Sequence, residues 1–156
     1  MIVQRIKSAI NRRRYKFLHQ RIRNIQIPGG AVSITFDDFP VTAATTAANA
    51  LEAQQMRGTF YLAPGLISKK GEAVGEIASL EDVADLIARG HEIGAHTFSH
   101  FACQGAPTRQ LSKEYEKSSE LLTRISGIKH FAYPFGAYDE AALIYFSKRY
   151  ATLRTD

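Results

Sequence analysis

The stretch Ile34-Thr35-Phe36-Asp37-Asp38-Phe39-Pro40, ITFDDFP, places two aspartates side by side directly after a run of β-forming residues. The run predicts a strand over residues 31–37, so the aspartates fall where that strand gives way to a loop. Adjacent carboxylates repel each other, and a bound cation removes that repulsion. The stretch therefore predicts a strand whose carboxyl end carries two carboxylates suited to binding a cation.

Helical and extended patterns alternate along the rest of the 156 residues. Thr42 is a candidate N-cap for the first helix, and Ser79 with Asp82 is close to a capping box for the second. Helices are predicted over 42–56, 79–89, 108–126 and 139–149, and strands over 58–62, 91–95, 128–133 and 150–153. Such alternation indicates an α/β fold with a parallel sheet or barrel. A complete eight-fold barrel needs roughly 200 residues or more. We therefore expect the front portion of a barrel, with about five parallel strands; an open sheet is the alternative.

Basic residues are concentrated at one end of the chain. Residues 1–26 hold eight Lys and Arg and no acid, which leaves 12 Lys and Arg against 15 Asp and Glu elsewhere. The pattern predicts a basic amphipathic arm over 1–28, ended by Pro28-Gly29-Gly30, and a mildly acidic domain over 29–156. The arm is interpreted as a solvated helix, as a helix packed on the domain, or as a peripheral membrane contact through residues 1–26.

Several classes of protein are disfavoured by the composition. A mildly acidic domain argues against nucleic acid as a partner. The single cysteine, Cys103, excludes an internal disulfide and a cysteine-based zinc cage. We find no apolar run near the roughly 20 residues that span a bilayer and no signal-peptide pattern. Localisation is left open by these observations.

A second cluster of chemical groups follows the third predicted strand, His96-Thr97-Phe98-Ser99-His100. Histidines at i and i+4 can share a metal ion, and a carboxylate commonly completes a three-ligand zinc site. The carboxyl ends of parallel strands meet at one edge, so this segment and the aspartate pair are expected to lie together. One aspartate then serves as a ligand and the other as a general base. A chance histidine pair and an aspartate that caps the next helix are the alternatives.

These motifs, in this order, resemble the polysaccharide deacetylases of carbohydrate esterase family four, whose catalytic region is the nodulation-protein-B homology domain. The resemblance covers about residues 31–154 and implies a distorted (β/α) barrel. It implies that Asp37 is the catalytic base, and that Asp38, His96 and His100 hold one divalent metal, usually Zn²⁺, with Co²⁺ or another divalent ion as alternatives. The third motif of the family corresponds to residues 131–136. There the backbone N–H of Phe135 is expected to bind the oxyanion, and Tyr133 and Pro134 are expected to line the sugar site.

The resemblance implies a metal-dependent hydrolase that removes N-acetyl groups from a polysaccharide or oligosaccharide, whether chitin oligomer, peptidoglycan or exopolysaccharide. Two departures accompany it. An arginine that pairs with the base in many members is replaced by Ala132, so Asp37 loses an anchor unless Arg57, Lys129 or another base substitutes. The later Asp-Trp and Leu-x-His motifs, the second of which carries the general acid, have no counterpart here. We therefore expect a chain truncated after the third motif. The alternative is a degenerate domain that keeps the metal site and binds carbohydrate or a partner without turnover. His91 and His130 are interpreted as structural.

Overall fold

The computed structural model describes residues 27–71, 75–125 and 127–155, so the predicted arm over 1–26 lies outside the described residues. The strands within these ranges are β1 (Thr35–Phe36), β2 (Thr59–Leu62), β3 (Lys70–Gly71), β4 (Gly75–Glu76), β5 (Glu92–Ala95), β6 (His130–Ala132) and β7 (Thr152–Arg154). The helices are α1 (Ala48–Ala53), α2 (Leu80–Ala88), α3 (Thr108–Leu122) and α4 (Glu140–Ser147). A π-helical segment, Ala43–Ala47, leads into α1, and 3-10 turns at Pro64–Leu66 and Pro134–Gly136 follow β2 and β6.

Five parallel strands form one sheet in the order β1-β2-β5-β6-β7. A helix separates each strand from the next in this order, which produces the repeated βα crossovers of a barrel. The sheet is half of such a barrel, and the predicted fold class is confirmed. The short antiparallel pair β3–β4 was not predicted.

The boundaries of several elements differ from the predictions; β6 and β7, for example, each begin two residues later than predicted. β1 is shorter, because the chain before Ile34 makes no sheet contact and Val32 is 78% exposed. Thr42 makes no capping hydrogen bond. The carbonyl of Pro40 accepts the first helical hydrogen bonds instead, from Ala43 and Ala44, so Thr42 lies inside the first turn. α3 ends at Leu122, whereas the predicted capping box of Ser79 and Asp82 at α2 is confirmed.

The two faces of the sheet have different characters because successive side chains on a strand alternate. Phe60, Ile93 and Phe131 point toward the helices and are almost fully buried. The opposite face is the inner face of the half barrel, where Tyr61 pairs in register with Gly94, and Ala132 with Arg154. The hydrophobic core thus lies on the helix side and leaves the inner face to polar groups.

An aromatic cluster anchors β6 to α4 on the helix side. The ring of Phe131 stacks on Phe146 at 4.3 Å and on Tyr150 at 5.1 Å, and its edge meets Tyr133 at 4.9 Å. Aromatic pairs of this kind contribute about 0.5–1.5 kcal/mol each beyond area burial. The cluster fixes the end of β6, from which one wall of the candidate site extends.

None of the helices in the described ranges is both long and apolar enough to cross a membrane.

Candidate metal centre

Asp38, His96 and His100 come together at the carboxyl ends of β1 and β5. Their ligand atoms all lie within 4.8 Å of one another. Asp38 Oδ1 is 2.9 Å from His100 Nε2 and 3.7 Å from His96 Nε2. Ligand atoms of a tetrahedral zinc site lie about 3.4 Å apart, since each is roughly 2.0–2.2 Å from the ion. The separation from Asp38 to His100 is shorter than this spacing and the separation from Asp38 to His96 is longer, so both lie near what a zinc ion requires.

The hydrogen-bonding states of Asp38 and His96 also fit a cation. Asp38 Oδ1 is buried and, among the described residues, takes no hydrogen bond despite its short approach to His100. His96 Nδ1 lies 2.8 Å from the carbonyl oxygen of Ala132, which suits an Nδ1–H donor and leaves Nε2 free to act as a ligand. Burial lowers the pKa of His96, which favours the neutral ring that a metal needs.

Strained backbone is concentrated around this centre. Asp38, Thr97 and His100 have φ between 56° and 60°, and Phe39 and Phe135 nearby also have positive φ. A left-handed conformation costs a residue with a side chain roughly 1–2 kcal/mol. Such strain persists only where the surrounding structure enforces it, and it clusters at functional sites. The local geometry is therefore imposed by contacts rather than by backbone preference.

Asp37 points to a different partner from its neighbour. Both of its carboxylate oxygens accept hydrogen bonds from the guanidinium of Arg154, at the end of β7. Arg154 pairs in register with Ala132 on β6, so the cation absent at position 132 is supplied from the adjacent strand. Neither Arg57 nor Lys129 takes this role. Arg57 instead donates to the backbone carbonyls of Met56 and Arg89. The two aspartates are thus separated into one that faces the histidines and one that faces an arginine.

Tyr61 supports Arg154 on the inner face of the half barrel. Its ring lies 5.2 Å from the guanidinium carbon, and burial raises the pKa of its hydroxyl. The ring occupies the space above Gly94, where a Cβ atom would lie 2.4 Å from the nearest ring carbon. Only glycine at position 94 leaves room for this ring, so β2, β5 and β7 together place the arginine beside Asp37.

Phe135 lies next to His100, one of the candidate metal ligands. The residue is 67% exposed, and its ring meets the ring of His100 at 4.4 Å. Its backbone N–H lies in the first turn of a 3-10 helix, where such groups have no intrahelical partner. The predicted use of this N–H for an oxyanion is compatible with that position and stays a prediction.

Two predicted sugar-site residues require correction. Tyr133 is 1% exposed, and its hydroxyl donates to the carbonyl of Ala142 on α4. Pro134 is also buried. Tyr133 lies two residues after Phe131 and therefore points to the same helix side of the sheet. Its position at a strand end does not bring its side chain to the site.

Three residues were not identified from the sequence: Tyr61 as a site residue, Arg154 and Glu114. The signal for Tyr61 and Arg154 is the alternation of side chains along β2 and β7, which places both on the inner face. Glu114 is a buried acid within the apolar stripe of α3, which also contains Leu111 and Leu122. An acid in such a stripe indicates a buried polar partner.

Comparison with known proteins agrees with the fold and the motifs. A family model described as polysaccharide deacetylase matches residues 24–150. The chitooligosaccharide deacetylase of Azorhizobium caulinodans is 25% identical over 116 residues, which make up 72% of this chain and 51% of that protein. The chain thus spans about half the length of this curated relative.

Solved structures support the same fold. IcaB from Ammonifex degensii superposes with a TM-score of 0.76 at 19% identity, covering 97% of this chain and 75% of that one. BA3943 from Bacillus anthracis, described as a CE4 family pseudoenzyme, superposes with a TM-score of 0.65 at 13% identity, covering 78% of this chain and 41% of that one. Likeness at these identities shows the shared architecture alone.

Proposed function

The chain belongs to the polysaccharide deacetylase family, and from that premise we propose that it is a metal-dependent hydrolase of N-acetyl groups on an amino-sugar polymer. One divalent ion, zinc in our proposal, is held by Asp38, His96 and His100. When bound, the ion supplies Lewis-acid activation of a water molecule and of the amide carbonyl. The observation that carries the proposal is the division of the aspartate pair, with Asp38 beside two histidines and Asp37 beside Arg154.

Asp37 is the proposed general base. It lies next to Asp38 in the chain, and Arg154 restrains both oxygens of its carboxylate, so that it does not turn toward the histidines. A base must be within hydrogen-bond reach of the proton it removes, and a carboxylate that is already fixed needs no reorganisation before it acts. Arg154 is a positioning residue in this scheme and takes over what an arginine at position 132 would do.

The backbone N–H of Phe135 is the proposed donor to the oxyanion that forms during acyl transfer. Phe135 is 67% exposed, which supports a proposed role for its ring in packing against the face of a sugar. In this proposal Phe135 contacts the sugar in place of Tyr133 and Pro134, which were predicted to line the sugar site but are buried. The proposed substrates are N-acetylated oligosaccharides and polysaccharides.

The test is hydrolysis of acetylated chito-oligosaccharides by the zinc-loaded chain, followed as the appearance of free amine. Asp37→Asn is expected to lower kcat by about 10²–10⁴ while zinc stays bound. Asp85→Asn, on the outer surface of α2, is the matched control and is expected to leave kcat unchanged. Equal activity in Asp37→Asn and the unaltered chain would contradict the assignment of the base.

A second candidate function is a domain that keeps the metal site and binds carbohydrate without turnover. It is favoured by the superposition of the chain on BA3943, a protein described as a CE4 family pseudoenzyme. Zinc binding and oligosaccharide binding without release of amine would support this second function over the first.

A further inference from the structure

The carboxylate of Glu114, on α3, takes no part in the proposed chemistry although only 5% of the residue is exposed. Buried carboxylates are costly unless hydrogen-bond donors surround them. The hydrogen-bond donors around the Glu114 carboxylate therefore indicate its role.

Four donors satisfy the Glu114 carboxylate. Oε2 accepts the backbone N–H groups of Phe98 at 3.0 Å and of Ser99 at 2.9 Å. Oε1 accepts the hydroxyl of Ser99 at 2.9 Å and the side-chain amide of Gln110 at 3.3 Å. Because both oxygens are engaged with donors, this carboxylate is not available as a metal ligand. Its main partners belong to the loop that joins the two histidines of the metal centre.

The two histidines are fixed by different means. His96 continues β5, and its N–H donates to the carbonyl of Leu62 while its ring binds the carbonyl of Ala132. His100 lies beyond the sheet, after Thr97, and both Thr97 and His100 have positive φ. The sheet thus places His96, whereas the shape of residues 97–99 places His100.

This loop is clamped at Phe98 from two sides. The N–H of Gly65 donates to the carbonyl of Phe98 at 2.7 Å, and a Cβ at position 65 would lie 2.7 Å from that oxygen. Glu114 accepts the N–H of Phe98 and the N–H of Ser99 from the opposite side. Within the loop, the hydroxyl of Thr97 accepts the N–H of Phe101 at 2.8 Å. Of these contacts, the one to Glu114 engages two consecutive amides at once.

We propose that Glu114 is a positioning residue for the metal centre: its carboxylate holds the 97–99 loop in its strained shape and thereby presents His100 to the ion. The inference rests on the proposed metal site. Residues that orient metal ligands typically change metal affinity by 10- to 100-fold when they are removed.

The experiment compares Glu114→Leu, Glu114→Gln and the control Glu120→Leu, which makes the same change on the exposed face of α3. Zinc affinity is measured by competition with a chelator. Glu114→Leu is expected to weaken zinc binding by about 10- to 100-fold. Glu114→Gln is expected to stay within about threefold, because one amide oxygen still accepts both N–H groups. Ser99→Ala removes a single hydrogen-bond donor to Glu114 and is expected to weaken zinc binding by roughly 2- to 10-fold. This variant replaces Glu114→Leu in the comparison if the leucine variant does not fold.

A second measurement does not depend on metal. Amide hydrogen exchange of Phe98 and Ser99 in the zinc-free chain is expected to be slow in the unaltered protein and the control, and fast in Glu114→Leu. A leucine variant that binds zinc normally and keeps both amides protected would overturn the role of Glu114. If the unaltered chain binds no zinc, the metal site itself fails, and the exchange data still decide whether Glu114 holds the loop.

Discussion

Among the residues that the structure describes, histidine–carboxylate pairs lie at both ends of the parallel sheet, but one end alone gathers them into a candidate metal site. At the amino ends of the strands, His91 Nδ1 accepts the N–H of Gly58 at 3.1 Å, and Nε2 lies 2.9 Å from Glu52. Both ring nitrogens are occupied. At the carboxyl ends, His96 uses Nδ1 for a backbone carbonyl and keeps Nε2 directed toward Asp38.

The arginines show the same contrast. Arg89, on the amino-end side, contacts Glu52 and Asp85 at 2.8 Å each and also binds Asn49. Arg154, at the carboxyl end, contacts the Asp37 carboxylate and lies over the ring of Tyr61. One arginine ties two helices together, whereas the other restrains a single carboxylate beside the candidate ligands. Residue type alone does not separate a structural pair from a functional one. For the histidines, the distinguishing feature is a ring nitrogen directed at a carboxylate oxygen that takes no hydrogen bond, as at His96 Nε2 and Asp38 Oδ1.

The largest expected effect follows from replacing each of the two histidines, His96 and His91, with alanine and comparing the variants. His96→Ala should lower zinc affinity by more than about 100-fold, because it removes a ligand and not merely a residue that orients one. His91→Ala should leave zinc affinity within about threefold. It should instead lower the free energy of unfolding by about 1–3 kcal/mol, because the N–H of Gly58 loses its acceptor. Chelator competition and urea unfolding measure the two quantities. Equal loss of zinc affinity in both variants would erase the distinction between the two ends.

An intermediate effect is expected for the arginines. Arg154→Ala should reduce kcat for deacetylation by roughly 10- to 100-fold with zinc still bound, because Asp37 loses its restraint. Arg89→Ala should leave kcat unchanged and cause only a small loss of stability, since its ion pairs are partly solvated. Ala132→Arg combined with Arg154→Ala is expected to recover part of the lost kcat, because positions 132 and 154 are in register. A normal kcat in Arg154→Ala would show that Asp37 needs no such restraint.

The smallest effect concerns pH. Burial lowers the pKa of His96 in the folded protein, whereas in the unfolded chain the ring takes up a proton near pH 6.5. The unfolded state then binds more protons, so the stability of the zinc-free protein should fall as the pH decreases below about 6.5. Urea unfolding in chelator should show a greater loss of stability between pH 7 and pH 5 in the unaltered chain than in His96→Ala. Identical pH dependence in the two proteins would argue against this difference in protonation.

The fold, and the meeting of Asp38, His96 and His100 at one edge of the sheet, were predictable because both rest on local patterns. Alternating strands and helices predict the parallel sheet, and the ends of its first and third predicted strands carry Asp38, His96 and His100. Parallel strands must bring such ends to one edge. The residues, their order and their convergence therefore follow from the chain without further information.

Arg154 could not be assigned in this way, because its role depends on the register between β6 and β7. That register is set by packing between segments distant in sequence, such as the stacking of Phe131 on Tyr150. Tyr133 was misassigned for a related reason. Its place at a strand end is readable from the sequence, but the face to which its ring points becomes clear only once Phe131 is known to pack on the helices.

Anomalous X-ray diffraction from zinc-soaked crystals tests the central claim most directly. We expect one anomalous peak per chain at the zinc edge, roughly 2.0–2.2 Å from Asp38 Oδ1 and from the Nε2 atoms of His96 and His100. No peak between these three residues, or a peak at His91 or His130 instead, would contradict the account.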